Sequence, residues 1–181
     1  MFPRKLDKEL TLSLLSVQHA PLLFRLTDKN REFLRPWFPW IEFTNQEKDT
    51  VGFINDQLKL YDERKAVQVA IEYKNQIIGV VDFHEIDSKN DVGQIGYWLS
   101  EEYNGKGFMT LAVKEMLSIG FNDFALNRIV IQCAVENTKS SAIPKRLGFM
   151  QEGILRSTEK VNGHYFDHAV YGLLRNEAQL S

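Results

Sequence analysis

At 181 residues, with 44% apolar and 12% aromatic side chains, the chain can bury one sizeable core, and a single domain over residues 1–181 is expected. Its 22 basic and 24 acidic side chains leave a net charge of −2, too little to grip nucleic acid or an anionic membrane surface through a general field. One cysteine, Cys133, excludes an intramolecular disulfide framework, and four scattered histidines lack metal-ligand spacing, so no metal is expected.

The start, MFPRKLDKEL, is charged and has no apolar h-region, and no later apolar run approaches the ~18 residues of a membrane span; a cytoplasmic protein is expected. Residues 10–15 read as a short strand, and Ser16 can cap a helix running towards Asn30. The next segment, REFLRPWFPWIEF, sets Phe33, Trp37, Phe38, Trp40 and Phe43 around Pro36 and Pro39, which forbid a regular helix. Those aromatics suit either a core-lining loop or the wall of a substrate gorge. Thr44 with Glu47 has the form of a capping box, so a helix is expected over residues 45–64 with Val51, Ile54, Leu58 and Tyr61 on one face.

Residues 66–73 and 77–85 are rich in Val and Ile and read as a hairpin, joined by a third strand at 94–100. After YNGKG, residues 103–107, Met109, Ala112, Val113, Met116, Leu117, Gly120, Phe121 and Phe124 recur at three- and four-residue steps and predict an amphipathic helix. A strand at 128–135 and a short helix at 138–147, stopped by Gly148, follow. Residues 154–161 and 164–173 flank Asn162-Gly163, a strong two-residue hairpin signal. The order predicts an α/β fold, a mixed sheet with helices on both faces and a C-terminal β-hairpin.

The glycine loop GKGFMT, Gly105 to Thr110, lies at a strand-to-helix turn. It is not a Rossmann fingerprint, which needs glycine where Thr110 stands, nor a P-loop, which needs Ser or Thr directly after the lysine. Backbone amides at a helix start are unpaired and carry partial positive charge, so the loop suits an anion held by dipoles, or is a plain turn. About thirty residues on stands NTKSSAIPKRLGF, residues 137–149. The two motifs in that order resemble the GCN5-related N-acetyltransferase (GNAT) superfamily, although Asn104 and Met109 depart from the usual loop consensus. IGYWL, residues 95–99, and VNGHY, residues 161–165, are similar to the branch that acetylates ribosomal-protein N-termini. The resemblance covers nearly the whole chain and implies a GNAT-like, mostly antiparallel central sheet.

The resemblance implies acetyl-CoA as co-substrate, with its pyrophosphate on the amides of Asn104, Gly105, Lys106, Gly107, Phe108, Met109 and Thr110. It places the pantetheine arm between two splayed strands, against Tyr97, Trp98 and Leu99, with Asn137 contacting the arm or the thioester. Lys139, Lys145 or Arg146 either neutralise a CoA phosphate or belong to a solvated helix face. Many members protonate the leaving thiolate from a tyrosine in the helix after the asparagine; this helix has none. In the ribosomal-protein branch a serine three residues past the asparagine takes that part, which implies Ser140, unless Ser140 is only the helix cap or Ser141 is mistaken for it.

Glu159 stands where the branch carries a glutamate, and is the first candidate base. A two-residue turn pairs Val161 with His164 and Glu159 with Phe166, which brings Glu159 and His168 to one face. His168 and His84 are lesser candidates, and Trp37, Trp40, His84 and His168 are candidate acceptor-binding residues. Cys133, inside RIVIQCAV, reads as a small buried hydrophobe.

At pH 7 an α-amine of ordinary pKa is neutral to about a tenth and a lysine to less than ~0.1%, about 3.5 kcal/mol apart, so a carboxylate base suits an α-amine better. The expected acceptor is the N-terminus of a protein beginning with Ser or Ala. A small amine such as a polyamine, antibiotic or amino acid, or a non-catalytic acyl-CoA sensor, is the alternative. The aromatic surplus accommodates a homodimer.

Overall fold

The computed structural model describes residues 1–179. One eight-stranded sheet runs through it in the order β1-β2-β3-β4-β5-β6-β8-β7. Strands β1 (Arg4–Lys5) and β2 (Leu10–Leu14) lead through a 3-10 turn, Val17–His19, into α1 (Ala20–Lys29). The predicted start at Ser16 holds, with the Ser16 carbonyl accepting from the His19 amide at 2.9 Å. Pro36 and Pro39 reduce the aromatic segment to one short turn, α2 (Arg31–Leu34), and a 3-10 turn, Pro39–Phe43.

Helix α3 (Glu47–Asp62) differs from expectation at its cap. The Thr44 hydroxyl is already engaged, donating to the Trp40 carbonyl at 3.1 Å to close the 3-10 turn. Asp49 therefore supplies the capping carboxylate, accepting from the amides of Asn45 at 2.9 Å and Gln46 at 3.0 Å. Ile54 is fully buried, and Val51 and Leu58 pack on the same small core with Ala20 and Leu23 of α1.

Strands β3 (Val67–Tyr73) and β4 (Gln76–Asp87) form the expected hairpin through Lys74 and Asn75, both at positive φ (51° and 61°). Strand β5 (Val92–Leu99) continues the meander. Helix α4 (Phe108–Ser118) buries the predicted Met109, Ala112, Val113, Met116 and Leu117. Its periodicity, read as one helix in the sequence, ends in a wider π turn, Ile119–Asp123. The lower rotation per residue there lets Ile119, Gly120 and Phe121 all face the core.

Strand β6 (Arg128–Ala134) and helix α5 (Thr138–Arg146) precede the hairpin of β7 (Met150–Val161) and β8 (His164–Leu174). That hairpin turns on Asn162 and Gly163 (φ 50° and 84°) in the predicted register, Val161 against His164 and Glu159 against Phe166. All strand pairs are antiparallel except β5 with β6. The main core lies between the sheet and α4, around the fully buried Phe83, Ile95 and Phe121; the smaller core under α1 and α3 covers the other face. Each such buried side chain contributes about 1.5–3 kcal/mol.

Candidate active site

The parallel pairing of β5 with β6 covers only four residue pairs, from Val92 with Arg128 to Ile95 with Ile131. Beyond them Tyr97, Trp98 and Leu99 hydrogen-bond only to β4, while Gln132, Cys133 and Ala134 turn to β8. The sheet opens into a V there, and the β5 edge facing β6 is left without a strand partner. The Tyr97 phenol crosses the opening and donates to the Ser140 carbonyl at 2.8 Å. Burial pushes the Tyr97 pKa up, so it remains a neutral donor.

Two hollows meet at this opening. The smaller, about 260 Å³, is lined by Leu99, Asn104, Met109, Lys139 and Phe33, among others. The larger, about 580 Å³, is lined by Trp40, His84, Asp82, Glu159 and His168, among others. Their walls share six residues: Trp37, Phe38, Tyr97, Trp98, Asn137 and Ser140.

At the smaller hollow, Gly105 and Gly107 adopt positive φ (76° and 82°), and nothing lies within 4 Å of where a side chain on either would project. Gly107 caps α4 without a side chain, and the first intrahelical bond runs from the Leu111 amide to the Gly107 carbonyl at 3.1 Å. The amides of Phe108, Met109 and Thr110 precede it and lack helical acceptors. Lys106 lies over the Tyr103 ring at 5.0 Å, Phe108 packs on Tyr73, and Met109 is buried, so the apolar side chains of Phe108 and Met109 turn inward and leave their backbone amides at the turn. Arg146 donates to Thr110 Oγ1 at 2.7 Å, tying α5 to the first turn of α4.

At the meeting point, Asn137 is the cap of α5, its Oδ1 accepting from the Ser140 amide at 3.1 Å. Ser140 is therefore not the cap, and its side chain lines the opening beside the Cys133 thiol. Ser141 is buried, donates to the Thr138 carbonyl at 3.2 Å and lines neither hollow. Cys133 is buried as expected, and burial pushes its thiol pKa up against partial offsets from Ser140 and Lys145.

The larger hollow is walled by the aromatic loop and the C-terminal hairpin. Arg31 fixes the loop by donating to the carbonyls of Ile41 and Thr44, each at 2.7 Å. Trp37 meets Phe166 with ring centroids 5.9 Å apart, Trp40 meets Trp98 at 6.1 Å, and Asn162 donates to the Arg35 carbonyl at 3.1 Å. The loop's two readings are divided between its residues: Leu34 and Ile41 are core, Trp37, Phe38 and Trp40 face the hollow, and Phe43 is exposed.

Glu159 Oε2 lies 3.0 Å from His168 Nε2 without forming an aligned hydrogen bond with it. His84 is on β4, beside Asp82 and outside the six shared residues, with Nδ1 3.2 Å from Asp82 Oδ1. Burial alone would lower its pKa, but Asp82, Glu85 and Gln94 together hold it above the ordinary histidine value. Sequence reasoning missed Asp82 and Gly96. The signal was the strand period of two, which puts Asp82 and His84 on one face.

A family model described as an acetyltransferase (GNAT) domain matches residues 9–150. The chain belongs to the GNAT acetyltransferase family. The ribosomal-protein-serine acetyltransferase of Escherichia coli (strain K12) is 30% identical over 167 residues, 92% of this chain and 93% of the relative. Among solved structures, the microcin C7 self immunity acetyltransferase MccE, in complex with acetyl-CoA and AMP, is 34% identical. It aligns at TM-score 0.90 over 95% of this chain and 96% of its own. RimL, a ribosomal L7/L12 alpha-N-protein acetyltransferase in complex with coenzyme A through a cysteine disulfide, is 27% identical. It aligns at TM-score 0.93 over 96% and 98% of the two chains.

This acetyltransferase uses acetyl-CoA, and the residues present fit it: unpaired amides at an open glycine turn, then a free strand edge leading to the meeting point of two hollows. Among the described residues no group of three or more His, Cys, Asp or Glu could hold a metal, and no helix is long and apolar enough to cross a membrane.

Proposed function

We propose that this chain acetylates the N-terminal α-amine of a protein beginning with Ser or Ala, a ribosomal protein being the first class to test. The carrying observation is that two hollows converge on Asn137 and Ser140, while only the larger holds the Glu159–His168 pair. The smaller takes the CoA side, with amides 104–110 on the pyrophosphate and the β5 edge at Tyr97, Trp98 and Leu99 on the pantetheine arm. The larger takes the acceptor, between Trp37, Trp40, His84 and His168. The names of the E. coli relative and of RimL support this acceptor class.

When bound, acetyl-CoA supplies the thioester carbonyl that the amine attacks. Glu159, oriented by His168, collects the amine proton through a water, and the Ser140 hydroxyl donates a proton to the departing sulfur. Asn137 holds the turn that presents Ser140. The whole of residues 1–181 acts as one domain in the cytoplasm, where acetyl-CoA and nascent proteins meet. A homodimer is assigned to the outer edge of β7, the end strand, where Met150, Ile154 and Leu155 are exposed and a second copy would satisfy both the strand edge and the apolar side chains. Sedimentation of wild type against Ile154→Lys tests it.

The experiment follows thiol release from acetyl-CoA against peptides with Ser, Ala or Met N-termini and against spermidine, with calorimetry of CoA in parallel. Release with Ser or Ala peptides is expected. Release with spermidine alone would make the acceptor a small amine, and CoA binding without any release would make the chain a sensor.

A further inference from the structure

The larger hollow carries a charge pattern that the reaction does not use. Besides the neutral Tyr97 phenol and Cys133 thiol, its ionisable lining consists of two carboxylates, Asp82 and Glu159, and two histidines, with no lysine or arginine. Glu159 belongs to the reacting end. Asp82 is on the opposite wall, on β4, where the strand register sets it against Gly96 of β5.

The Asp82 site is built. Its side chain is only 16% exposed. Oδ1 accepts from the Gly96 amide and from His84 Nδ1, each at 3.2 Å. A side chain at Gly96 would meet Oδ1 at 2.9 Å and His84 Nδ1 at 3.1 Å, so glycine is what lets the carboxylate lie across the strand. Among the described residues none donates to Oδ2, which leaves that oxygen and half of the pair's charge for an occupant of the hollow. A mostly desolvated carboxylate with an unused acceptor oxygen, in a cavity without lysine or arginine and only partly offset by the His84 ring when that is protonated, favours a cationic ligand.

We propose that Asp82, held by Gly96 and His84, is a second cation subsite that selects acceptors carrying an ammonium or guanidinium group besides the amine that is acetylated. Trp98 at the meeting point is one strand over and two residues along from Asp82, about 8 Å away at ordinary strand spacings. That distance fits a lysine or arginine at the second or third position of an extended N-terminal peptide, and it also fits the far amine of a diamine. The inference rests on the proposed assignment of the larger hollow to the acceptor.

The test compares kcat/KM for matched peptides Ser-Arg-Ala-Ala-amide and Ser-Gln-Ala-Ala-amide, and for 1,4-diaminobutane against butylamine, in wild type, Asp82→Asn and Asp82→Ala. Retained CoA affinity reports that each variant is folded. Wild type should prefer the dicationic member by about tenfold, with the preference shrinking as salt rises, and both variants should bring the ratio close to one. A preference confined to the diamines would keep the subsite and move the source to small amines, which overturns the N-terminal reading alone. Should no acceptor turn over, calorimetry of 1,4-diaminobutane against butylamine on the CoA-loaded protein reads the same ratio. Equal treatment of both members by wild type, or a preference that survives in Asp82→Asn and Asp82→Ala, overturns the subsite.

Discussion

The Tyr97 phenol and the Ser140 carbonyl, 2.8 Å apart, form the one side-chain hydrogen bond that crosses the opening between β5 and α5 among the described residues. It pins the first turn of α5, the turn that also presents the Ser140 side chain. Tyr97→Phe should lower stability by about 0.5–1.5 kcal/mol, read from the urea midpoint. It should lower kcat more than CoA affinity, since Arg146 still ties the last turn of α5 to Thr110 at the glycine loop. Equal losses in both would show that the bond merely supports the CoA side.

Gly107 tests the glycine loop. The Cβ of a tryptophan there meets nothing within 4 Å, and a bulky ring at this position should obstruct the approach of an anion to the amides of Phe108 to Thr110. The left-handed backbone at φ 82° adds about 1–2 kcal/mol of strain, tolerable against a typical stability of about 5–15 kcal/mol. Gly107→Trp should keep its circular dichroism and lose CoA binding by calorimetry. Binding retained at wild-type affinity would remove the pyrophosphate from this loop.

Much of the fold was legible because its signals are local. Asn162-Gly163 set the last hairpin's register, and the three- and four-residue spacing from Met109 to Leu117 set α4's buried face. What was not legible depends on competition or on distant pairing. Thr44 had the right neighbours for a cap, but its hydroxyl was taken by Trp40's carbonyl, a choice visible only once the 3-10 turn exists. Asp82 carried no motif, and its meaning comes from Gly96, fourteen residues away along the chain and opposite in the sheet. The shared face of Glu159 and His168, by contrast, followed from turn length, whereas their 3.0 Å contact lies beside a register shift between Leu155 and Glu159 that no turn signal announces.

Ser140 and Ser141 give a paired control. Ser141 spends its hydroxyl on the Thr138 carbonyl inside α5, so Ser141→Ala should cost about 1 kcal/mol of stability and leave kcat nearly unchanged. Ser140 lines both hollows and its capping duty is done by Asn137, so Ser140→Ala should lower kcat by about 100-fold with CoA affinity kept. Stopped-flow thiol release and calorimetry on the same preparations separate the two. An unchanged kcat in Ser140→Ala would remove the hydroxyl from proton transfer.

His84 provides a titration with a defined sign. Burial opposes its charge, and Asp82, followed by Glu85 and Gln94, outweighs that burial, so the imidazolium persists above the ordinary histidine range. A folded-state value raised in this way adds stability that is fully present below the unfolded value and fades as pH rises through the folded one. In Asp82→Asn the burial is less opposed, and the His84 resonance followed by NMR should titrate at lower pH than in wild type. A midpoint that stays in place would mean that Asp82 does not hold the ring in solution.

Glu159 stands 3.0 Å from His168 in the wall of the larger hollow, next to the register shift between Leu155 and Glu159 on β7. A carboxylate that collects the amine proton must be ionised to act, so activity should fall on the acidic side of the pH–rate profile as that proton is supplied by solvent. Glu159→Gln keeps the shape and removes the acceptor: kcat should fall by about 100-fold and the acidic limb should disappear, with CoA affinity intact. His168→Gln removes the ring beside the carboxylate, which also lines the larger hollow, and should lower kcat less while leaving an acidic limb. If the limb survives in Glu159→Gln and vanishes in His168→Gln, the histidine is the base and the glutamate orients it.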